Sequence, residues 1–164
     1  MRTSRLSVGV VSVVALLGFF TILRSNVVSA QADPHIGTWA LNVAKSKYTP
    51  GPAPKEQTSV YAMAGQGIKV STKAVGADGK PTMTEFTAMF DGKGHPVTGN
   101  ADYDATMMKR VDGQTIEFTR KKGGKMMQTA TSAVSKDGKT RTVTTTGMNG
   151  QGQKINNVAV YDKK

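Results

Sequence analysis

From residue 36 onward, short segments of the chain alternate apolar and polar residues with a period of two. In one such segment Ile116 and Phe118 share a face, and Glu117 points the opposite way. This alternation is typical of strands that bury one face, whereas a helix repeats its apolar positions every three to four residues. No segment after Asp33 carries a helical apolar stripe. The pattern predicts nine strands, at 36–43, 57–64, 68–75, 82–90, 105–111, 114–121, 125–134, 139–146 and 154–161.

Glycine-containing pairs such as Asp78-Gly79, Gly123-Gly124 and Asn149-Gly150 separate many of these segments. Such pairs supply the positive φ angles of tight hairpins, so consecutive strands are expected to be antiparallel neighbours. A flat meander would leave two edges unpaired, and closure into a barrel removes them. A sandwich needs at least one long crossover, which the short turns do not favour. We therefore predict an all-β protein, an up-and-down meander that closes into a barrel of eight or nine strands, preceded by a signal helix.

Two segments interrupt the meander. Residues 44–56 contain three alternating prolines, Pro50, Pro52 and Pro54, which cannot join a central strand and predict an ordered surface strap or a lid. Residues 94–104 predict a long loop that carries a short strand fragment at 95–98.

The N-terminal segment has the pattern of a secretory signal peptide. Arg2 and Arg5 precede an apolar run over 6–23, and small residues follow at Ala30-Gln31-Ala32. We predict a signal peptide over 1–32, cleaved after Ala32, and a single exported domain over 33–164, periplasmic or extracellular. The alternative is an uncleaved N-terminal membrane anchor, because the apolar run is about the length of a bilayer span.

The chain is strongly basic, with 22 Lys and Arg against 11 Asp and Glu. Removal of three arginines with the signal peptide lowers the net charge from +11 by three, to +8. An exported basic protein is expected to meet anionic polymers and lipid headgroups, and nucleic acid is not favoured. The densest basic run is a predicted hairpin tip that could contact such surfaces or a partner protein, or could be a solvated turn; its residues are Arg120, Lys121, Lys122 and Lys125.

Gly37-Thr38-Trp39 opens the first predicted strand and contains the sole tryptophan. On this G-x-W motif the chain resembles the lipocalin-like (calycin-type) secreted barrels, and residues 41–52 resemble small exported bacterial proteins of unknown function. The resemblance implies that Gly37 and Trp39 are structural and that the indole packs across a closed barrel end. It also implies a basic partner for the indole from a late strand, with Arg141 as the first candidate and Lys163 as the second.

The interior of a closed barrel is its natural ligand site. We predict that ligand-binding residues line it, namely Tyr61, Phe86, Phe90, Met107, Phe118 and Arg141. Side chains could instead fill the interior completely. Arg141 lies in a threonine-rich strand and is expected to point outward, although an inward guanidinium could pair with a ligand carboxylate. The predicted function is binding of a small apolar or amphipathic molecule by a monomer without a cofactor, and the rival is a surface-interaction module that uses the basic hairpin tip.

Residues suited to catalysis or metal binding are few. The chain has no cysteine and only two histidines, which excludes thiolate sites and does not favour a multi-histidine metal site within one chain. His35 and His95 lack an evident serine motif or carboxylate partner. Asp102 and Asp104 alone do not distinguish a cation site from a polar loop. The sequence therefore predicts neither an enzyme nor a metal site.

Overall fold

The structure is a computed structural model that describes residues 32–164. In this range the chain forms ten β-strands and one short 3-10 helix, Val43–Lys45. The strands are β1 (Gly37–Leu41), β2 (Glu56–Ala64), β3 (Gly67–Val75), β4 (Pro81–Met89), β5 (His95–Thr98), β6 (Ala105–Arg110), β7 (Thr115–Lys122), β8 (Lys125–Val134), β9 (Thr140–Met148) and β10 (Lys154–Lys163).

Each strand pairs antiparallel with the next one along the chain, and β1 also pairs with β10, so the sheet closes into a barrel. Trp39 marks the closure, because it is paired with Ser59 of β2 on one side and with Lys163 of β10 on the other. The predicted antiparallel meander and its closure are confirmed. The barrel has ten strands and not the predicted eight or nine.

The added strand is β5, which coincides with the fragment expected at 95–98 in the second long loop. It is four residues long and pairs through only two residues with each neighbour. Pro96 and the flanking Gly94 and Gly99 keep it short, because proline has no N–H to donate and glycine weakens a strand. Only Val97 is buried within it. The alternation over so short a stretch is too weak to predict a full strand.

The two ends of the barrel differ. The Trp39 end carries the start of β1 and the turns at 65–66, 90–94, 111–114 and 135–139. The strap end carries the strap, residues 42–55, and the turns at 76–80, 99–104, 123–124 and 149–153. The strap runs along the edge of β10 beyond the end of β1, where Lys47 and Val158 exchange two backbone hydrogen bonds of 2.8 and 2.7 Å.

Apolar side chains fill the half of the interior nearer the Trp39 end. Trp39, Ile68 and Ile116 are completely buried, and Ala88 and Met108 are 1% exposed. Burial of large side chains stabilises a domain by about 1.5–3 kcal/mol each, so this half holds the fold together.

The predicted signal peptide and its cleavage site fall almost wholly on residues 1–31, which lie outside the described residues. Within residues 32–164, no helix is long and apolar enough to cross a membrane. Export, cleavage and anchoring therefore stay predictions.

Candidate functional site

A cavity of about 250 Å³ lies inside the barrel, in the half nearer the strap end. Tyr48 of the strap and Asn100 of the 99–104 turn both line it, so it reaches that end of the barrel. Most of its wall consists of hydroxyl, amide and guanidinium side chains, namely Tyr48, Gln57, Ser59, Tyr61, Thr72, Thr82, Thr84, Asn100, Tyr103, Arg120, Gln128, Arg141, Thr145, Asn157 and Tyr161. The volume lies just below the range of about 300–1,000 Å³ typical of drug-sized ligands.

Arg141 points into this cavity, so the expectation that it faces outward is wrong. The residue is 1% exposed, and its guanidinium carbon lies 4.4 Å from the ring centre of Tyr61 and 4.5 Å from that of Tyr161. Within residues 32–164, its Nε and Nη1 atoms are buried and have no hydrogen-bond partner. Buried polar groups are normally satisfied, so an unpaired buried guanidinium is a feature that needs a reason.

Both predicted basic partners of Trp39 are present. The Arg141 guanidinium carbon is 5.3 Å and the Lys163 Nζ is 5.0 Å from the indole. The indole Nε1 donates to the carbonyl oxygen of His35 at 2.8 Å. Gly37 makes room for Lys163, because a Cβ at Gly37 would lie 2.9 Å from the lysine Cε. These contacts fit the structural role predicted for Gly37 and Trp39.

The predicted basic hairpin tip does not act as one surface. Arg120 turns into the cavity, where its Nη1 donates to Gln128 Oε1 at 3.1 Å and its guanidinium carbon lies 4.8 Å from the Tyr103 ring. Lys122 donates to the carbonyl oxygen of Ala101. The outer surface of the tip therefore keeps Lys121, Lys122 and Lys125 and loses Arg120, because Arg120 shares the inward parity of Phe118.

Four of the six predicted ligand-binding residues line the cavity, namely Tyr61, Phe86, Phe118 and Arg141. Phe90 does not, because it lies just beyond β4 at the Trp39 end, with the Arg110 guanidinium 4.1 Å from its ring centre. Met107 does not either, because its neighbours Thr106 and Met108 are the buried, inward residues of β6. The predictions for Phe90 and Met107 are wrong in placement.

Tyrosine and amide side chains that we did not predict complete the cavity wall. The Tyr161 hydroxyl accepts a hydrogen bond from Gln57 Nε2 at 2.9 Å. Burial raises the pKa of Tyr161 far above its ordinary value, and burial also raises the pKa of Tyr48. Both phenols therefore stay protonated and contribute no negative charge to the cavity at neutral pH.

Each histidine has a carboxylate neighbour, contrary to the expectation from the sequence. His95 Nε2 lies 3.0 Å from Asp91 Oδ1, near the surface. His35 is completely buried at the Trp39 end, with Nδ1 3.2 Å from Asp33 Oδ1 and Nε2 3.3 Å from the backbone carbonyl oxygen of Ser132. Burial lowers the pKa of His35.

The arrangement of Asp33, His35 and Ser132 does not form a catalytic triad. His35 Nε2 is directed to the Ser132 backbone oxygen, and the Ser132 hydroxyl has no hydrogen-bond partner within residues 32–164. A nucleophile needs its base within hydrogen-bond reach and a path to substrate, and Ser132 is completely buried. In the same part of the chain, no group of three or more Asp, Glu or His residues could hold a metal ion.

Two other depressions are larger than the cavity but lie on the outside of the barrel. One, of about 500 Å³, is formed by outward residues of β2, β3 and β4 such as Glu56 and Lys73. The other, of about 860 Å³, lies at the Trp39 end around Asp33 and Lys136. Neither contains a buried, unpaired polar group, so the cavity around Arg141 is the better candidate site.

Comparison of the chain with protein families, with curated proteins and with solved structures finds no match. The fold alone therefore defines the class, a closed ten-stranded antiparallel β-barrel with a polar internal cavity. This architecture fits the lipocalin-like fold.

Proposed function

We propose that this protein is an exported, non-enzymatic binding protein of lipocalin-like (calycin-type) character that holds a small amphipathic molecule in its barrel cavity. The observation that carries the proposal is the cavity itself, which combines the rings of Tyr61 and Phe86 with polar groups. The wall is more polar than that of the usual ligand site, which is an apolar surface with a few polar groups, so an amphipathic molecule suits it better than a purely apolar one.

The size of the cavity limits the ligand. An apolar cavity of about 150 Å³ can hold benzene, so about 250 Å³ accommodates one ring with a polar substituent. A drug-sized or long-chain molecule would not fit without movement of the wall.

The rival proposal, a surface module that binds anionic polymers or a partner protein, has less support. Its densest basic cluster loses Arg120 to the cavity, and isolated surface lysines are common on soluble proteins.

The test uses two matched substitutions on β4. Thr84→Phe places a ring in the cavity, whereas Thr87→Phe places the same ring on the exposed outer face. Native mass spectrometry of the protein from its producing cells, and thermal shifts with benzyl alcohol and benzoate, would report binding. We expect binding in the wild type and in Thr87→Phe and a loss in Thr84→Phe. Absence of binding in a folded wild type, or equal binding in both variants, would refute the cavity as the site.

A further inference from the structure

The charged groups inside the barrel define the chemical class of the ligand more closely than the volume of the cavity does. Arg141 is 1% exposed, and its Nε and Nη1 have no partner within residues 32–164. A buried cation is normally paired with an anion, because removal from water without a partner is unfavourable. The aromatic rings of Tyr61 and Tyr161 contact this guanidinium but accept no conventional hydrogen bond from its edge.

A second cation reaches the same cavity. Arg120 donates to Gln128 Oε1 at 3.1 Å, and it forms no ion pair in the part of the chain that the structure describes. Asp102 also lines the cavity, but its Oδ1 accepts from the backbone N–H of Gly150 at 2.7 Å. The cavity therefore contains two guanidinium groups, and the carboxylate at its rim is already engaged by the backbone.

The walls between these cations are polar. The hydroxyls of Ser59 and Thr72 lie 2.9 Å apart on neighbouring strands, and Thr84, Gln128 and Thr145 continue the polar lining. A long alkyl chain would leave these groups without partners, whereas a short molecule with oxygen atoms would satisfy them.

We propose that the ligand is a compact organic carboxylate whose anionic group binds the guanidinium of Arg141, with the positive charge of Arg120 as a second attraction. This inference rests on the proposed function and names its ligand class. A guanidinium presents two parallel N–H donors to a carboxylate either at Nε and Nη2 or at Nη1 and Nη2, and each of these edges of Arg141 includes one of the two unpaired donors. Cation–π contacts with the rings of Tyr61 and Tyr161 would hold the guanidinium in place.

The experiment compares each carboxylate with its neutral amide. Benzoate and succinate are titrated by calorimetry into the folded protein, and benzamide and succinamide serve as isosteric controls. Arg141→Met removes the anion partner, and Lys69→Met removes one charge from the outer face, where Lys69 is exposed. Both variants change the net charge equally, which separates a local contact from general electrostatic attraction.

We expect at least one carboxylate to bind at least about tenfold more tightly than its amide, because charge-assisted hydrogen bonds are stronger than neutral ones. Arg141→Met should abolish this preference, and Lys69→Met should keep it. Equal binding of acids and amides would overturn the inference and leave the proposed function standing, and so would an unchanged preference in Arg141→Met. If neither carboxylate binds, the inference fails, and the Thr84→Phe experiment decides separately whether the cavity binds anything.

Discussion

Replacement of Arg141 by methionine should make the ligand-free protein more stable. The arginine is 1% exposed, and two of its donors, Nε and Nη1, have no partner within residues 32–164. Each unsatisfied buried donor destabilises a protein by about 1–3 kcal/mol, so the two together contribute about 2–6 kcal/mol of destabilisation. Methionine is shorter by two atoms along the side chain, but it has no donor and no charge and therefore removes this term.

The opposing term is the loss of cation–π contacts. The guanidinium carbon lies 4.4 Å from the ring of Tyr61, 4.5 Å from that of Tyr161 and 5.3 Å from that of Trp39. A desolvated contact of this kind contributes about 2 kcal/mol, and three rings around one cation are not additive. Sulfur–aromatic contacts of the methionine would return about 0.3–1.5 kcal/mol. We expect a net gain of about 1–3 kcal/mol in the free energy of unfolding.

Urea unfolding followed by fluorescence of the sole tryptophan measures this change as a higher midpoint at an unchanged m-value. Lys69→Met is the matched control, and an exposed substitution of this kind should change stability by less than about 0.5 kcal/mol. A loss of about 2 kcal/mol or more in Arg141→Met would refute the reasoning. It would show that the guanidinium is a structural partner of the aromatic rings, which is the role implied by the lipocalin-like resemblance, and not a group that awaits an anion.

Three further predictions concern the Trp39 end. Trp39→Ala should lower the free energy of unfolding by about 3–5 kcal/mol, because the indole is completely buried; a circular-dichroism melt close to that of the wild type would contradict this packing. Gly37→Ala should destabilise by about 1–3 kcal/mol, because Gly37 has φ +130°, a conformation that other residues rarely adopt, and Lys163 Cε would also have to move away from the new Cβ; an unchanged melting temperature would show that the start of β1 relaxes freely. Stability should also fall as the pH drops below about 6.5. Burial lowers the pKa of His35, so below this pH the unfolded chain binds a proton at His35 that the folded chain does not bind. This contribution is fully present above the unfolded pKa and is lost as the pH falls towards the folded pKa. Urea midpoints measured between about pH 4.5 and 8 should decline less steeply in His35→Gln, and identical slopes would rule out His35 as the cause.

Much of the fold follows from local chemistry. Period-two alternation and glycine turns are sufficient for an antiparallel meander, since both act between residues that are close in sequence. Local patterning does not predict which face of β10 points inward. Val158 and Val160 look like core residues, yet Ala159 and Tyr161 are the buried ones. The valines lie on the outer face and are half-buried, and Lys47 of the strap pairs with the backbone of Val158 along the edge of β10. The sequence does not reveal which strand the strap will pair with.

The orientation of Arg141 could have been predicted from parity. Arg141, Val143 and Thr145 are two residues apart and therefore share one face of β9. The single valine among them indicates that this is the inner face. Threonines on both faces conceal this pattern. The same reasoning applies to Arg120, which shares its parity with Ile116 and Phe118. The unpaired state of Arg141 was not predictable, because it depends on side chains from distant strands.

The two halves of the barrel interior differ in a way that favours binding over a purely structural role. Near the Trp39 end, Ile68 and Ile116 are completely buried and Met108 is 1% exposed, and this burial supplies stability. Near the strap end, polar side chains surround a cavity that contains Arg120 and Arg141. An interior that only had to hold the fold would be more stable with apolar side chains in these positions, since buried polar groups and cavities both destabilise. The buried guanidinium of Arg141 is the strongest exception to such an interior, and it is the group for which we propose an anionic partner.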